Sequence, residues 1–180
     1  MRRVRYRVAM SLDGFIAGPN GEIDWIVPDP DVDFATIYAG FDVALLGRRT
    51  YELTQQPGAP PWPPGWDVYV VSRTLRPAEH PAVHVVGNEI KSIVSRLRAT
   101  PGRDIWLFGG GVLAGSLLAM DLVDVVEIAI MPVVLGAGVP FVDPVARRVP
   151  LRLTRMQQSS AGIVNLQYDV LHDNGLHEAG

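Results

Sequence analysis

The stretch Ile105-Trp106-Leu107-Phe108-Gly109-Gly110-Gly111-Val112-Leu113-Ala114-Gly115-Ser116-Leu117-Leu118-Ala119-Met120 decides the fold. Its first four residues are apolar without alternation, which suits a strand covered on both faces. Three glycines follow, forming a turn whose backbone can pass close to a neighbour or ligand without Cβ clashes. Residues 112–120 read as a short apolar helix. A buried strand turning through glycine into a helix is the building unit of an α/β sheet. The stretch falls short of the roughly 20 apolar residues of a membrane-spanning helix. Asp121, Asp124 and Glu127 follow it, so it is read as buried core.

Similar units lie on either side. Residues 42–46 (DVALL) form another continuous apolar run, followed by Gly47-Arg48-Arg49-Thr50 and a short helix through Tyr51 and Leu53. Residues 68–72 and 83–86 are β-branched strands, and Ile90, Ile93, Val94 and Leu97 give residues 89–99 a helical spacing with Asn88 as its cap. Residues 4–10 and 123–130 are further strands, and residues 151–158 and 164–171 read as a closing antiparallel pair. Residues 29–40 read as a short helix, with Pro30 in its first turn and Gly40 at its end. Five prolines within residues 57–65 make a stiff surface loop. The expected fold is α/β, with a mostly parallel central sheet and an antiparallel C-terminal strand pair. One domain over residues 1–172 and a frayed tail over 173–180 are expected.

Composition removes several classes of function. The formal net charge of −3 argues against a nucleic-acid partner, which needs clustered positive charge. The one basic cluster, Arg2, Arg3, Arg5 and Arg7, alternates with Val4, Tyr6 and Val8 and reads as a strand with a solvated face. There are no cysteines, which removes disulfides, thiolate nucleophiles and iron–sulfur ligation and fits a reducing, cytoplasmic setting. His80, His84, His172 and His177 have no metal-like spacing, so no metal site is expected. A Gly-x-Ser-x-Gly elbow and a secretory apolar run are both missing.

Three strand exits carry the chemistry. The helix after Gly109-Gly110-Gly111 presents free N–H groups suited to a pyrophosphate, while the competing reading is that the glycines only permit tight packing. Arg48, Arg49 and Thr50 can grip a phosphate, although adjacent arginines are more often solvated surface charges. Residues 70–73 (VVSR) end a strand in a hydroxyl and a cation. In an open α/β sheet, ligands gather beyond the carboxyl ends of the strands, where all three segments fall.

The order of Ala9-Met10-Ser11-Leu12-Asp13-Gly14, Leu46-Gly47-Arg48-Arg49-Thr50-Tyr51, Val71-Ser72-Arg73, Phe108-Gly109-Gly110-Gly111 and residues 132–141 resembles the dihydrofolate reductase superfamily. More narrowly, the SLDG opening and the late PVVLGAGVPF stretch resemble the reductase domain of bifunctional riboflavin-biosynthesis enzymes. The resemblance implies a dihydrofolate-reductase-like three-layer fold and NADPH-dependent reduction of a small planar heterocycle. The implied substrate is 5-amino-6-(5-phosphoribosylamino)uracil, with dihydrofolate as the alternative. From another class, a non-catalytic nucleotide-binding module competes with the enzyme.

By position, the resemblance implies that Gly47, Arg48, Arg49 and Thr50 hold the adenosine-side phosphates. Ser72 and Arg73 would meet the adenosine ribose and its 2′-phosphate, which favours NADPH over NADH. Gly109, Gly110, Gly111, Val112 and Leu113 would wrap the pyrophosphate and nicotinamide ribose, and Ala9 and Ile16 would fix the carboxamide. For the proton, Asp13 competes with Asp29, Asp31 and Asp33, which follow Trp25-Ile26-Val27-Pro28. Asp13 reads equally as a turn residue ahead of Gly14, and Asp29 as a helix cap. Trp25, Trp62 and Trp66 can border the cleft, with packing beneath the proline-rich loop favoured for Trp62. A homodimer formed by pairing strand 123–130 across a two-fold axis is the expected assembly.

Overall fold

The alternation of apolar runs and turns resolves into ten strands and four α-helices in the computed structural model, which describes residues 1–143, 145 and 147–172. In chain order they are β1 (Val4–Ser11), β2 (Phe15–Ala17), α1 (Phe34–Ala39), β3 (Phe41–Gly47), α2 (Arg48–Thr54), β4 (Asp67–Val71), β5 (His84–Val86) and α3 (Ile90–Ala99). Then come β6 (Asp104–Gly109), α4 (Gly111–Ala119), β7 (Val125–Met131), β8 (Val139–Pro140), β9 (Leu151–Gln158) and β10 (Val164–Val170). Residues 173–180, where the frayed tail and His177 were placed, lie outside the described residues.

The main sheet has the order β5-β4-β3-β6-β1-β7-β10-β9. Its first six strands run parallel, and β10 lies antiparallel to both β7 and β9. The continuous apolar runs occupy its centre because both faces there are covered. On one face α3 and α4 bury Val94, Leu97, Ala114 and Leu117 against Val43, Leu45, Ile105 and Leu107. On the other, α2 packs Tyr51 on Ala44, Leu46 and Val70, and Tyr38 of α1 meets Trp106 at 5.8 Å. Each fully buried aliphatic side chain of this kind contributes about 1.5–3 kcal/mol. The result is the expected three-layer α/β architecture.

Several local readings need correction. The helix expected over residues 29–40 shrinks to α1, and its cap is Asp33, whose carboxylate accepts from Ala35 N at 2.9 Å. Asp29 instead closes its own turn, accepting from Asp31 N at 3.0 Å, so Pro30 stands outside any helix. Glu89, not Asn88, precedes α3, and no side chain caps it.

Beyond the half-exposed Arg3, the arginine face of β1 is largely covered rather than solvated. Arg5 and Arg7 both pair with the buried Glu127 of β7, and Arg5 stands over the Phe41 ring at 4.8 Å. A buried carboxylate needs such partners to remain charged. Strand β7 is flanked by β1 and β10, so it has no free edge to pair across a two-fold axis.

Candidate active site

The parallel register brings the chemistry-bearing exits together. Gly47 pairs with Val71, Leu46 with Gly109, and Val71 with Val86, so β3, β4, β5 and β6 end at one level. Strands β1 and β6 pair only through Tyr6 and Leu107 and then separate. The Arg7 carbonyl, which lies beyond that last pair, accepts from the Trp106 indole at 3.1 Å. The two strands part next to Ala9, one continuing into α4 and the other starting the chain. The carboxyl edge at such a change of strand order is where open α/β sheets take their ligands.

At the exit of β6, Gly109 and Gly110 have φ values of +142° and +92°, which side-chain-bearing residues rarely adopt. A Cβ on Gly110 would find Thr50 Oγ1 at 3.5 Å, and one on Gly109 would find Thr50 Cγ2 at 3.9 Å. Thr50 therefore lines the glycine turn from α2, and the backbone there is otherwise open to a ligand. Gly111 has a different reason to be glycine, because a Cβ would collide with the Pro140 carbonyl. The packing explanation thus accounts for Gly111, while backbone conformation accounts for Gly109 and Gly110. Helix α4 begins here with no side-chain cap, exposing Val112 and burying Leu113. Leu113 approaches Gly47, whose Cβ would lie 4.0 Å from the Leu113 Cβ.

At the neighbouring exits, Arg48 Nη1 donates to Thr74 Oγ1 at 3.1 Å, joining the start of α2 to the turn after β4. Arg48 also approaches Glu52 at 3.4 Å, a half-exposed i,i+4 pair of little energetic weight. Ser72 Oγ accepts from Thr74 N at 3.2 Å and Leu75 N at 3.1 Å, which shapes the turn and leaves Arg49 and Arg73 exposed on its rim.

Ile16 enters through a pairing that the sequence did not reveal. Phe15 and Ala17 of β2 pair with Pro140 and Val139 of β8, and Phe141 N donates to Gly14 O at 2.9 Å. This small sheet sets Ile16 beside the segment that packs on Gly111. Tyr6 adds support from below, stacking on Phe141 at 5.1 Å and donating to its carbonyl at 2.6 Å. Burial pushes the Tyr6 hydroxyl well above its ordinary pKa, so it remains a donor.

The acidic candidates separate by environment. The Asp13 carboxylate accepts from Ser11 Oγ at 2.7 Å, Leu135 N at 3.1 Å and Gly136 N at 2.7 Å. The Ser11 hydroxyl first, and then the two amides, hold it below the usual carboxylate range. It ties the turn after β1 to the loop after β7. Asp31 is lowered by accepting from Ser160 N at 2.7 Å, and Asp33 by Thr36 and Ala35 at the start of α1. Asp29 is half-buried, with Oδ2 3.5 Å from Asn165 Nδ2 on β10. The three acids share a segment, but only Asp29 turns an oxygen toward the sheet through a side chain.

The aromatic flank is continuous. Trp62 and Trp66 stack at 6.2 Å, Trp62 meets Phe108 edge-on at 5.0 Å, and Trp66 meets Trp106 at 6.0 Å. Both tryptophans of the proline-rich loop thus stand over the end of β6. Trp25 is separate, its indole donating to Glu22 O at 3.0 Å. Among the described residues no group of three His, Asp or Glu side chains could hold a metal, and no helix is long and apolar enough to cross a membrane. A cavity of about 320 Å³ lined by Arg2, Asp42, Asp67 and Arg96 lies at the amino ends of the strands, opposite the ligand edge.

Comparison with known proteins agrees with this geometry. The RibD C-terminal domain family model matches residues 2–165. The uncharacterized protein YyaP of Bacillus subtilis is 35% identical over 185 residues, covering 97% of this chain and 96% of that protein. A crystal structure from Shewanella sp. PV-4, provisionally named a riboflavin biosynthesis protein, superposes with a TM-score of 0.82 at 26% identity, covering 96% of this chain and all of that one. The Thermotoga maritima diaminohydroxyphosphoribosylaminopyrimidine deaminase/5-amino-6-(5-phosphoribosylamino)uracil reductase shares the fold, with a TM-score of 0.68 at 17% identity over 94% of this chain and 57% of that one. With its sheet order, its glycine turn and nearly its whole length accounted for, the chain belongs to the RibD C-terminal domain family.

Proposed function

We propose that this chain is an NADPH-dependent reductase that transfers hydride to a small planar heterocycle related to 5-amino-6-(5-phosphoribosylamino)uracil. The observation that carries the reading is the convergence of Thr50 on Gly110 and of Arg48 on Thr74, which joins three strand exits into one anion-binding rim. The fit to the cofactor rests on this chain's own surface. The backbone at Gly109 and Gly110 is open, Arg48 and Arg49 are exposed at the start of the helix that carries Thr50, and the uncapped start of α4 favours negative charge.

In this reading Gly47, Arg48, Arg49 and Thr50 hold the adenosine-side phosphates, and Ser72 and Arg73 the ribose and its 2′-phosphate. Gly109, Gly110, Gly111, Val112 and Leu113 line the pyrophosphate, while the Ala9 and Ile16 backbones orient the carboxamide. When bound, NADPH supplies the hydride for reduction of a C=N or C=O carbon. The Trp62–Trp66–Phe108 flank offers a stacking wall and keeps water from the ligand edge. Of Asp13, Asp29 and Asp31, we assign proton delivery to Asp29 Oδ2, directly or through one water, because that oxygen lies 3.5 Å from Asn165 Nδ2 on the sheet, while Asp29 Oδ1 and the Asp13 and Asp31 carboxylates accept from backbone amides. Asp13 and Asp31 then position the loops around the substrate. Residues 1–172 act as one reductase domain, in the cytoplasm, as a homodimer.

The test is NADPH oxidation across a panel of pterins, pyrimidinones and ribosylaminopyrimidines. Turnover with a ribosylaminopyrimidine supports the reading, and preference for dihydrofolate redirects it within the superfamily. Tight NADPH binding without turnover on any member of the panel points to a nucleotide-binding module.

A further inference from the structure

The two faces of the sheet are covered unequally. Under α3 and α4, Tyr6, Leu45, Leu107 and Val126 are 0–2% exposed. On the opposite face Arg7, Ala9, Phe108, Ala129 and Asn165 stay half-buried, where α1 and α2 supply only six and seven residues of cover. This is the face on which Asp29 turns toward Asn165 and the proline-rich loop stands over β6.

Aromatic rings from two segments meet there. Tyr38 of α1 lies 6.0 Å from Trp66 and 5.8 Å from Trp106, and Phe34, 56% exposed, lies 6.1 Å from Tyr38. Trp62 completes the group against Phe108 at 5.0 Å. Its Nε1 is buried and meets no acceptor among the described residues, a donor that folded proteins rarely leave idle.

The segments that carry these rings bring no cation. Residues 18–41 contain five acids, Glu22, Asp24, Asp29, Asp31 and Asp33, and no lysine or arginine. In residues 50–66 the one charged residue is Glu52. On the sheet below, Arg5 and Arg7 share Glu127, and Arg5 also meets Asp104 at 3.4 Å, so two cations face two carboxylates. Farther out, Arg152 pairs with Asp169 and Arg155 donates to Gln157, while at the amino ends Arg103 donates to the Ala39 and Phe41 carbonyls. The exposed Arg48, Arg49 and Arg73 stand instead at the carboxyl edge, with the dinucleotide.

We propose that the substrate taken on this face is a planar heterocycle without phosphate or carboxylate, uncharged or cationic and held by stacking. The inference rests on the reductase reading and narrows it. The ring system is kept, and an uncharged group replaces the phosphoribosyl group of 5-amino-6-(5-phosphoribosylamino)uracil. A phosphate brought among these acids would shed hydration without gaining an unpaired cation. Ring faces, by contrast, accept any flat π system. A ring carbonyl or sugar hydroxyl would answer the idle indole N–H without adding charge. The acids thus act against the charged competitor as much as the rings act for the substrate.

Titration calorimetry on the NADP+ complex of the wild-type chain tests this, since the bound dinucleotide occupies the arginine rim. The probes are a ribosylaminopyrimidine and riboflavin, each against its own 5′-phosphate. The uncharged member of each pair is expected to bind at least about 10-fold more tightly. Raising salt from about 0.05 to about 0.5 M should tighten the phosphates by about 3-fold and leave the uncharged members unchanged, the sign of screened repulsion. Phe34→Arg, at an exposed position, should narrow the preference by at least about 3-fold. Equal or tighter binding of the phosphates, phosphate binding weakened by salt, or no binding of either uncharged probe overturns the inference and leaves the reductase reading standing, because NADP+ has bound. A chain that binds no NADP+ loses the reductase reading, and this inference with it.

Discussion

The Arg48 guanidinium donates to the Thr74 hydroxyl at 3.1 Å, so the turns after β3 and β4 are joined by one cation at the carboxyl edge of the sheet. That bond leaves the planar fork able to take a further oxygen ligand, in the way arginine meets phosphate. Arg73, one residue from Thr74, stands exposed on the same rim.

Arg73→Ala is therefore expected to weaken NADPH by roughly 10- to 100-fold and NADH by less than about 3-fold, the loss of one charge-assisted contact to the 2′-phosphate. Arg48→Ala should weaken both dinucleotides alike, since both carry the pyrophosphate. Titration calorimetry of the two variants checks the split. Equal losses of NADPH and NADH on Arg73→Ala would remove its assignment.

The glycine turn separates into two kinds of position. Gly110→Ala forces a side-chain-bearing residue to φ +92° and sets a Cβ 3.5 Å from Thr50 Oγ1, at a cost of about 1–3 kcal/mol and with weaker NADPH binding. Gly111→Ala drives a Cβ into the Pro140 carbonyl, a backbone atom that cannot swing aside. A loss of about 1–3 kcal/mol there should lower Tm by roughly 3–10 °C. Thermal unfolding of both variants, with NADPH titration at low temperature, distinguishes strain at the site from strain in the packing.

Asp13 makes stability pH-dependent in a defined direction. Its carboxyl is held below the usual range by Ser11 and by the Leu135 and Gly136 amides. The stabilisation is therefore fully present above the unfolded value of about 3.9 and is lost as pH falls through the lower folded value. The Tm difference between wild type and Asp13→Asn should be constant from neutral pH down to about pH 5, and should shrink below about pH 4. A difference that disappears already near pH 6 would mean that another group holds the loop.

With any substrate that turns over, Asp29→Asn is expected to lower kcat by at least about 10-fold. Asp31→Asn should lower it by less than about 3-fold, because its carboxylate holds the Ser160 amide at 2.7 Å. Steady-state rates of the two variants at neutral pH separate the roles.

Much of this was legible in the sequence, for identifiable reasons. The runs at residues 42–46 and 105–108 are apolar on both faces, so local composition alone marks them as central strands, and the turns after them as the ligand edge. What escaped depends on partners distant in the chain. Arg5 and Arg7 look solvated until Glu127, some 120 residues away, is set between them by the β1–β7 register. Asp29 reads as the helix cap in the sequence, and only the fold shows Asp33 at the start of α1 while Ser160 engages Asp31. Strands β2 and β8 are too short to register as periodic, and they form because Gly14 and Phe141 meet across the site. Phe108 and Trp62 are ordinary apolar residues on paper, and their edge-on contact exists because the proline-rich loop folds back over β6.

The most direct test of the cofactor site is titration of the purified protein with NADPH and NADH, following energy transfer from tryptophan to the reduced nicotinamide. Trp62, Trp66 and Trp106 lie around the end of β6, so a dinucleotide at the ligand edge is within transfer range. Tight NADPH binding with NADH at least about 10-fold weaker is the predicted result, the signature of one extra charge-assisted contact. Binding of neither dinucleotide would contradict the account and leave the glycine turn as a packing device.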